Sequence, residues 1–413
     1  MLFIYNILIN ITGFVLRILA IFNNKLKLFI NGRKSVFEKL KNEINTSDKV
    51  IWFHTASLGE FEQGIPVIEQ TKEEFPDYKI FVTFFSPSGY EVKKNSTIAH
   101  IISYLPLDTK KNVEKFLDIV HPELAIFVKY EFWPNYLAEL KKRKVNTLLI
   151  SAIFRKKQTF FKFYGSFLRN SLKTFHHFYV QDDNSKLLLG KIGYENVAVS
   201  GDTRFDRVME ILERDNTLDF IEEFKDNKVC FVAGSTWPED EKIIIDFIND
   251  PLNNDVKFII APHNIKNEHI ETLKKSINKK TILFSEKNGV NLSEYNIFII
   301  DTVGILTKIY NYANVAYVGG GIGKTGLHNV LEPAVFGIPV IIGNHYSNFK
   351  EAVDLVNLGG IISIKNKNEF KLNASKLLKN SQENVKIGEV NKIYITKKMG
   401  AKIQIGCQIR KLL

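Results

Sequence analysis

The chain has 413 residues, of which 45% are hydrophobic and 24% charged, the ordinary composition of a globular protein with a sizeable core. Its formal net charge of +11 favours anionic partners such as acidic lipids or phosphorylated substrates. Zinc-finger, basic-zipper and RNA-recognition patterns are missing, so nucleic acid is not an expected partner. The two cysteines, Cys230 and Cys407, form neither a disulfide framework nor a metal-ligand spacing, which fits a reducing compartment.

The amino-terminal residues 1–22 are mostly apolar, and a basic stretch follows from Lys25 to Lys34. The length suffices for a spanning helix, which needs about 20 apolar residues, but Arg17 makes insertion costly. Together the two stretches predict a membrane-associated segment over residues 1–34, with the body of the protein on the cytoplasmic side. The alternative is a hydrophobic helix packed on the protein itself. Spanning and lying on the membrane both remain open.

Short apolar runs alternate with helix-like segments along the rest of the chain, which predicts an α/β protein with parallel, doubly wound sheets. The predicted strands form two series of seven: Val50–Thr55, Ile80–Phe84, His100–Tyr104, Leu124–Val128, Thr147–Ser151, Phe178–Gln181 and Val197–Gly201, then Val229–Gly234, Phe258–Ala261, Thr281–Phe284, Ile297–Asp301, Val315–Val318, Val340–Ile342 and Ile361–Ile364. The predicted domains are 35–205 and 227–390, with a charged linker over 206–226 and a closing helix over 391–413. Two such domains in tandem predict a ligand cleft between them.

The stretch from Val50 to Glu60 predicts a buried strand that runs into a turn at Gly59 and then into a helix over Phe61–Lys72. Glu60 therefore falls in the first turn of a helix at the carboxyl end of a parallel strand, where open α/β sheets bind ligands. Ser57-x-x-Glu60 also has the spacing of a capping box. The spacing alone fits a structural cap and a catalytic carboxylate equally well.

The densest motif runs from Val318 to Ala334 and is predicted to follow a strand and open a helix. Glycine backbone at a helix start offers N–H groups to a phosphate, which makes Gly319–Gly321 a candidate phosphate site. The dinucleotide-binding and Walker A patterns are both incomplete here. Asn329 and Glu332 fit a helix cap, or alternatively Glu332 accepts the ribose hydroxyls of a nucleotide.

Polar residues follow several other predicted strands, and each is either a cap or a ligand. They are Ser235 and Thr236 after Gly234, His263 after Pro262, Glu131 before Trp133, and Asn348 in the stretch Asn344–Phe349.

These stretches together resemble the bacterial 3-deoxy-D-manno-octulosonic acid (Kdo) transferases, which act on lipid A precursors. The similarity runs in order over about residues 30–400 and rests on these motifs: His54-x-x-Ser57-x-Gly59-Glu60, Glu131-x-Trp133-Pro134-Asn135, Gly201-Asp202-x-Arg204-Phe205-Asp206, Gly234-Ser235-Thr236, Asp301-Thr302-x-Gly304-x-Leu306, Val318-Gly319-Gly320, His328-Asn329-x-x-Glu332-Pro333-Ala334 and Asn348-Phe349.

The resemblance implies a GT-B glycosyltransferase with two Rossmann-like domains, an acceptor-binding one followed by a donor-binding one. It also implies CMP-Kdo as donor, an inverting transfer in lipopolysaccharide biosynthesis, and residence at the inner (cytoplasmic) membrane, with neither cofactor nor metal. Glu60 is then expected as the general base. The expected donor-binding residues are Gly234, Ser235, Pro262, His263, Gly319, Gly320, Gly321, Asn329 and Glu332, and further site candidates are Ser57, Gly59, Glu131, Arg204, His328 and Asn348.

The sequence departs from the family pattern at four places. Leu327 stands where a second glycine is common before His-Asn, and Pro262–Asn264 lacks the arginine of a frequent Pro-Arg-His motif. Lys129 replaces a common glutamate, and Arg204 replaces a common lysine. Arg204 keeps the charge, although arginine and lysine differ in geometry. The departures affect the expected donor contacts more than the expected base.

Two other functions are compatible with the sequence. One is a different GT-B enzyme, namely a UDP-sugar transferase or a nucleotide-sugar epimerase, which donor competition would distinguish. The other is a non-catalytic module that binds anionic glycolipid, which Glu60→Ala would distinguish because a module without chemistry does not need that carboxylate.

Overall fold

The computed structural model describes residues 1–413, and the chain divides into two compact units. Unit 1 comprises Met1–Arg207 and Met399–Leu413, and unit 2 comprises Val208–Lys398. Both are α/β units with a seven-stranded parallel sheet, so the expected fold class is confirmed.

The strands of unit 1 lie in the order β3-β2-β1-β4-β5-β6-β7. They are β1 (Lys49–Thr55), β2 (Tyr78–Phe84), β3 (Ile101–Tyr104), β4 (Leu124–Val128), β5 (Asn146–Ala152), β6 (His177–Val180) and β7 (Val197–Val199). The helices are α1 (Leu2–Leu19), α2 (Asn24–Asn31), α3 (Val36–Glu43), α4 (Leu58–Glu74), α5 (Pro87–Lys93), α6 (Lys110–Val120), α7 (Pro134–Lys142), α8 (Ser166–Leu172), α9 (Asp183–Gly190), α10 (Arg204–Glu213), which continues into unit 2, and α19 (Ala401–Leu412).

The strands of unit 2 lie in the order β10-β11-β9-β8-β12-β13-β14. They are β8 (Cys230–Thr236), β9 (Lys257–Pro262), β10 (Thr281–Leu283), β11 (Ile297–Ile299), β12 (Val315–Val318), β13 (Val340–Gly343) and β14 (Ile361–Ile364). The helices are α11 (Asp219–Lys225), α12 (Pro238–Ile248), α13 (Asn267–Lys275), α14 (Leu306–Ile309), α15 (Leu331–Ala334), α16 (Lys350–Leu358), α17 (Lys367–Lys379) and α18 (Ser381–Lys398).

Both faces of the unit 1 sheet are covered, as continuous apolar strands require. Side chains alternate along β1, so Val50 and Trp52 pack into one hydrophobic cluster and Ile51 and Phe53 into the other. The second cluster is completed by α19, whose Ile405 and Ile409 are buried in it. The order of the central strands brings the carboxyl ends of β1 and β4 side by side.

The amino-terminal helix α1 contacts the rest of unit 1 through one narrow stripe of its own residues. The Tyr5 hydroxyl donates to Asp108 Oδ2 at 2.7 Å, the amide of Asn135 donates to Asn6 Oδ1 at 2.7 Å, and Gly13 packs closely on Leu107. From Tyr5 to Gly13 the contacts cover about 12 Å of helix.

The rest of α1 is mostly apolar and exposed, with Asn10, Thr12 and Arg17 as its exposed polar residues. The exposed side chains include Phe3, Ile4, Ile7, Leu8, Ile11, Phe14, Val15, Ile18 and Leu19. By length and composition alone, α1 is the one helix in the chain able to cross a membrane, a test that a signal sequence also passes. The helix therefore combines the two expected alternatives, because it packs on the protein and also exposes an apolar face.

The glycine-rich motif of unit 2 differs from the expectation in one respect. The strand before it is β12, as predicted, but no helix opens at the glycines. Residues 319–330 form an irregular loop, and the helix that follows is the single turn α15. The backbone of Gly320 has φ of 90°, a conformation that favours glycine and ends regular structure.

Candidate functional site

In unit 1, Glu60 stands in the first turn of α4, directly after the carboxyl end of β1. Its carboxylate closes back on Ser57, whose N–H and hydroxyl donate to Glu60 Oε2 at 2.8 and 3.0 Å. The capping role is therefore confirmed. Both bonds go to one oxygen, so capping leaves Glu60 Oε1 available to a substrate proton.

Burial controls the ionisation of Glu60, which is 7% exposed. Desolvation raises the pKa of the Glu60 carboxyl, and the nearby charge of Glu131 raises it further, while the bonds from Ser57 and the charge of Lys129 oppose the rise. The first turn of a helix favours a negative charge. The result is an ionisable carboxylate with more basicity than an ordinary surface glutamate, as proton abstraction requires.

The loop between β4 and α7 brings Glu131 to the same edge of the sheet. The indole N–H of Trp133 lies 3.0 Å from His54 Nε2 and 3.1 Å from Glu131 Oε2. Because His54 Nε2 accepts this bond, the neutral ring carries its proton on Nδ1, 2.9 Å from Thr83 Oγ1. His54, at the end of β1, thus fixes Trp133, and Trp133 orients the Glu131 carboxylate.

Arg204 is held within unit 1 by Asp202. Its Nε donates to Asp202 Oδ2 at 2.9 Å, and the amide of Gln63 donates to the same carboxylate at 3.0 and 3.2 Å. Gln63 lies one turn beyond Glu60 on α4 and is 1% exposed. The guanidinium of this site candidate therefore already has a carboxylate partner.

In unit 2, Ser235 interrupts the end of β8. It adopts a left-handed backbone with φ of 53°, and the pairing of β8 with β9 shifts register around it. A serine cap for α12 was one expectation, but the helix begins after Trp237, whose N–H donates to Asp240 Oδ2 at 2.9 Å. A non-glycine residue in this conformation costs about 1–3 kcal/mol, and such strain concentrates at functional sites.

Three aromatic rings stack beside Ser235. The ring of His263 lies on that of Trp237 with 4.5 Å between centroids, and His328 lies 4.6 Å from His263. The indole N–H of Trp237 donates to His328 Nε2 at 3.1 Å. Burial lowers the pKa of His328, and the neighbouring His263 lowers it further, so His328 is neutral near pH 7. The three rings form an aromatic surface with the exposed His263 on its outside.

The glycine loop packs against its own unit at close quarters. The N–H of Gly319 donates to Gly234 O at 3.0 Å, and that of Gly320 donates to Asp240 Oδ2 at 2.8 Å. A Cβ on Gly319 would clash with Ser235 O, and one on Gly321 would meet Gly343 N at 2.9 Å. The glycines are therefore needed for packing, and two of their N–H groups already have protein acceptors.

The remaining predicted residues of unit 2 lie around this loop. The Asn329 amide donates to Glu332 Oε1 at 3.1 Å, and Asn329 Oδ1 accepts from the N–H of Leu331 at 3.2 Å. The N-cap of the short α15 is nevertheless Val330, so the prediction of Asn329 as the cap was wrong by one residue. Asn348 is exposed in the loop after β13, and Pro262 is the last residue of β9.

The structure thus groups the predicted residues of each unit separately. Glu60, Ser57, Gly59 and Glu131 meet at the edge formed by β1 and β4, whereas Arg204 is drawn towards Asp202. Sequence reasoning gave no role to His54, Trp133 or Trp237. The sequence did contain one signal for His54, which is a polar residue at the end of an apolar strand; the structure shows that this residue is buried.

The two α/β units give the chain a GT-B-like fold, and its similarity to known transferases indicates a glycosyltransferase. A model of the family described as 3-Deoxy-D-manno-octulosonic-acid transferase (kdotransferase) matches residues 32–207. The chain is 27% identical over 348 residues to the 3-deoxy-D-manno-octulosonic acid transferase of Haemophilus influenzae, covering 81% of this chain and 80% of that one. It is 27% identical over 355 residues to that of Aquifex aeolicus, covering 84% and 91%. The chain is therefore similar to Kdo transferases over most of its length.

Two further comparisons show similarity that is limited to part of a longer relative or to the fold. A bifunctional glycosyltransferase/methyltransferase of Fusobacterium nucleatum is 30% identical over 335 residues, covering 78% of this chain but only 51% of that protein, so the chain spans about half of its length. Among solved structures, the UDP-GlcNAc 2-epimerase from Neisseria meningitidis has a TM-score of 0.61 at 14% identity, covering 88% of this chain and 100% of that one. At this identity the likeness concerns the fold alone.

Proposed function

We propose that this protein transfers Kdo from CMP-Kdo to a lipid A precursor in lipopolysaccharide biosynthesis. The observation that carries the proposal is the buried Glu60 carboxylate at the carboxyl end of β1, inside the stretch that matches the Kdo transferase family. Its raised pKa and its single capped oxygen suit a general base.

In the proposed reaction, Glu60 takes the proton of an acceptor hydroxyl. The hydroxyl oxygen forms a bond to the anomeric carbon of Kdo while the bond from that carbon to the phosphate oxygen of CMP breaks, which inverts the configuration. CMP leaves with the bonding electron pair, and Glu60 releases its proton to solvent. Glu131, fixed by Trp133, supports this step by keeping Glu60 basic.

We propose that unit 2 binds the donor through the residues gathered around its glycine loop. Ser235, strained at the end of β8, and the neighbouring rings of His263 and His328 would contact the nucleotide, with Glu332 at the ribose. Since the N–H groups of Gly319 and Gly320 have protein acceptors, these glycines would shape the phosphate site more than donate to it.

We further propose that α1 lies flat in the cytoplasmic surface of the inner membrane. Its polar stripe is bound to unit 1 through Tyr5 and Asn6, and its opposite face exposes large apolar side chains. An amphipathic helix of this kind buries its apolar face at the boundary of head groups and acyl chains. Basic residues after it would favour the anionic leaflet.

The decisive test measures product mass after incubation of the purified protein with CMP-Kdo and a lipid A precursor. Glu60→Gln keeps the size of the side chain and removes the base, so kcat should fall about 10²–10⁴-fold. Glu62→Gln is the matched control, because it removes a carboxylate of the same helix that pairs with Lys93 outside the site, so kcat should stay unchanged. Unchanged transfer by Glu60→Gln would refute the mechanism, and absence of a Kdo adduct with the wild type would refute the function.

A further inference from the structure

A cavity of about 900 Å³ opens where the carboxyl end of α1 meets α2 and α3. Four basic side chains line it, from Arg17 on α1, Lys27 on α2, and Arg33 and Lys34 just before α3. No aspartate or glutamate lines the cavity. A concentration of positive charge without counter-charge attracts anions.

Arg33 is fixed in place by groups that leave its charge uncompensated. It donates to the backbone oxygens of Leu105, Phe29 and Phe85 at 2.9, 2.9 and 2.6 Å, and its guanidinium lies 3.7 Å from the ring centroid of Phe29. Burial lowers the pKa of Arg33 to about 9, which still leaves it charged near neutral pH. Carbonyl groups and aromatic faces satisfy its N–H groups but supply no negative charge.

The other cations of the cavity are exposed and form no ion pair. Arg17, Lys27 and Lys34 all reach solvent and none lies within ion-pair distance of a carboxylate. Apolar residues complete the lining, among them Ala20 and Ile21 at the end of α1. The cavity thus has a charged part and an apolar part.

The position of the cavity relative to α1 indicates which kind of ligand fits into it. The exposed apolar face of α1 extends to Ile18, and the exposed Ile21 directly after the helix lines the cavity with the basic side chains. A lipid whose acyl chains lie along that face would bring its head group to Arg17 and Lys27. Inorganic phosphate would use the charges but leave the apolar lining unfilled.

We propose that this cavity binds the phosphate head group of one anionic glycerophospholipid of the membrane, with the acyl chains beside α1. The proposal rests on the proposed membrane placement of α1 but goes beyond the transfer reaction. The lining contains none of the residues placed around Glu60, so the cavity is separate from the site of the proposed reaction.

The test is a titration of the full-length protein with short-chain phosphatidylglycerol below its micelle concentration. Binding should saturate at one lipid per chain, and phosphatidylcholine of the same chain length, which is zwitterionic, should bind at least tenfold more weakly. The triple variant R17Q/K27Q/K34Q should weaken phosphatidylglycerol binding about fivefold per residue, roughly a hundredfold in all. Circular dichroism verifies its fold.

Two control variants separate the cavity from general surface charge. K41Q/K144Q/K411Q removes the same charge from exposed lysines of unit 1 outside the cavity and should bind normally. Asn31→Trp narrows the cavity with no change in charge and should weaken binding even if the triple variant is unstable. Equal losses in both triple variants, normal binding by Asn31→Trp, or equally tight binding of inorganic phosphate would overturn the proposal.

Kdo transfer by the same preparations is measured separately. Saturable lipid binding in a protein that transfers no Kdo would support the lipid site and refute the proposed function. Active transfer without phosphatidylglycerol binding would do the reverse.

Discussion

At the scale of single residues, the site of unit 1 depends on how two carboxylates influence each other. Trp133 holds the Glu131 carboxylate at 3.1 Å, and His54 holds Trp133 at 3.0 Å. The negative charge of Glu131 contributes to the raised pKa of Glu60, after the larger effect of burial. The geometry that fixes one glutamate therefore adjusts the basicity of the other.

The effect of Glu131 should be visible in the pH profile. Glu131→Gln keeps an oxygen for Trp133 but removes the negative charge, so the pKa of Glu60 falls and its basic form persists at lower pH. The acidic limb of kcat/KM should move to lower pH, as measured from initial rates across buffers. Glu114→Gln, on an exposed part of α6, should leave the limb where it is. A shift in the opposite direction would contradict the electrostatic role given to Glu131.

The sequence identified Glu60 as a site candidate but did not indicate which residues surround it. Ser57-x-x-Glu60 gives the cap, which is a local interaction within four residues. The contact of His54 with Trp133 joins residues 79 positions apart, and nothing in the local pattern indicates which strand ends will meet. Ser235 was expected as either a cap or a ligand. It is not the cap, because α12 begins after Trp237 with Pro238 and Asp240 in its first turn, and the serine keeps a strained backbone.

At the scale of elements, the contact between α1 and unit 1 has a buried carboxylate at its centre. Asp108 is 1% exposed and accepts from the Tyr5 hydroxyl and from the N–H groups of Asn135 and Tyr136, in the first turn of α7. One carboxylate therefore connects the amino-terminal helix with the helix that follows Glu131 and Trp133.

The ionisation of Asp108 should make stability depend on pH. Burial raises its pKa from 3.8 to about 7. Because the folded state holds the proton more tightly, the stabilisation is complete below the unfolded pKa and is lost as pH rises through 7, on the order of 4 kcal/mol. Thermal unfolding should show a smaller loss of stability between pH 4 and 8 in Asp108→Asn than in the wild type. Asp118→Asn, on the exposed surface, should keep the wild-type dependence.

All fourteen strands lie where the apolar runs predicted them. A parallel strand that is covered on both faces consists of a continuous run of apolar residues, which is visible in the sequence. The helix expected at the glycine loop is the exception. The glycines of this loop allow close packing against β8 and β13. Contacts with strands that are distant in the sequence produce no local periodicity. Tertiary packing therefore determines the backbone conformation of this loop.

At the scale of the whole molecule, the exposed face of α1 should determine where the protein resides. Replacing Phe14 and Ile18 by serine removes two large apolar side chains from that face, each worth about 1.5–3 kcal/mol when fully buried. Binding to anionic vesicles in a flotation assay should fall at least about tenfold. Leu372→Ser with Val385→Ser, at exposed positions of unit 2, should bind as the wild type does. Equal losses in both pairs would argue against α1 as the membrane contact.

The return of α19 to unit 1 has a consequence for the order of folding. Ile405 and Ile409 complete a hydrophobic cluster of unit 1 that also contains Ile51 and Ile65, yet the ribosome synthesises them only after the whole of unit 2. Unit 2 is continuous in sequence and can fold as it emerges, whereas unit 1 must wait with part of that cluster uncovered. The unit that carries Glu60 therefore begins first and finishes last, and its apolar surface is open to chaperones throughout the synthesis of its neighbour.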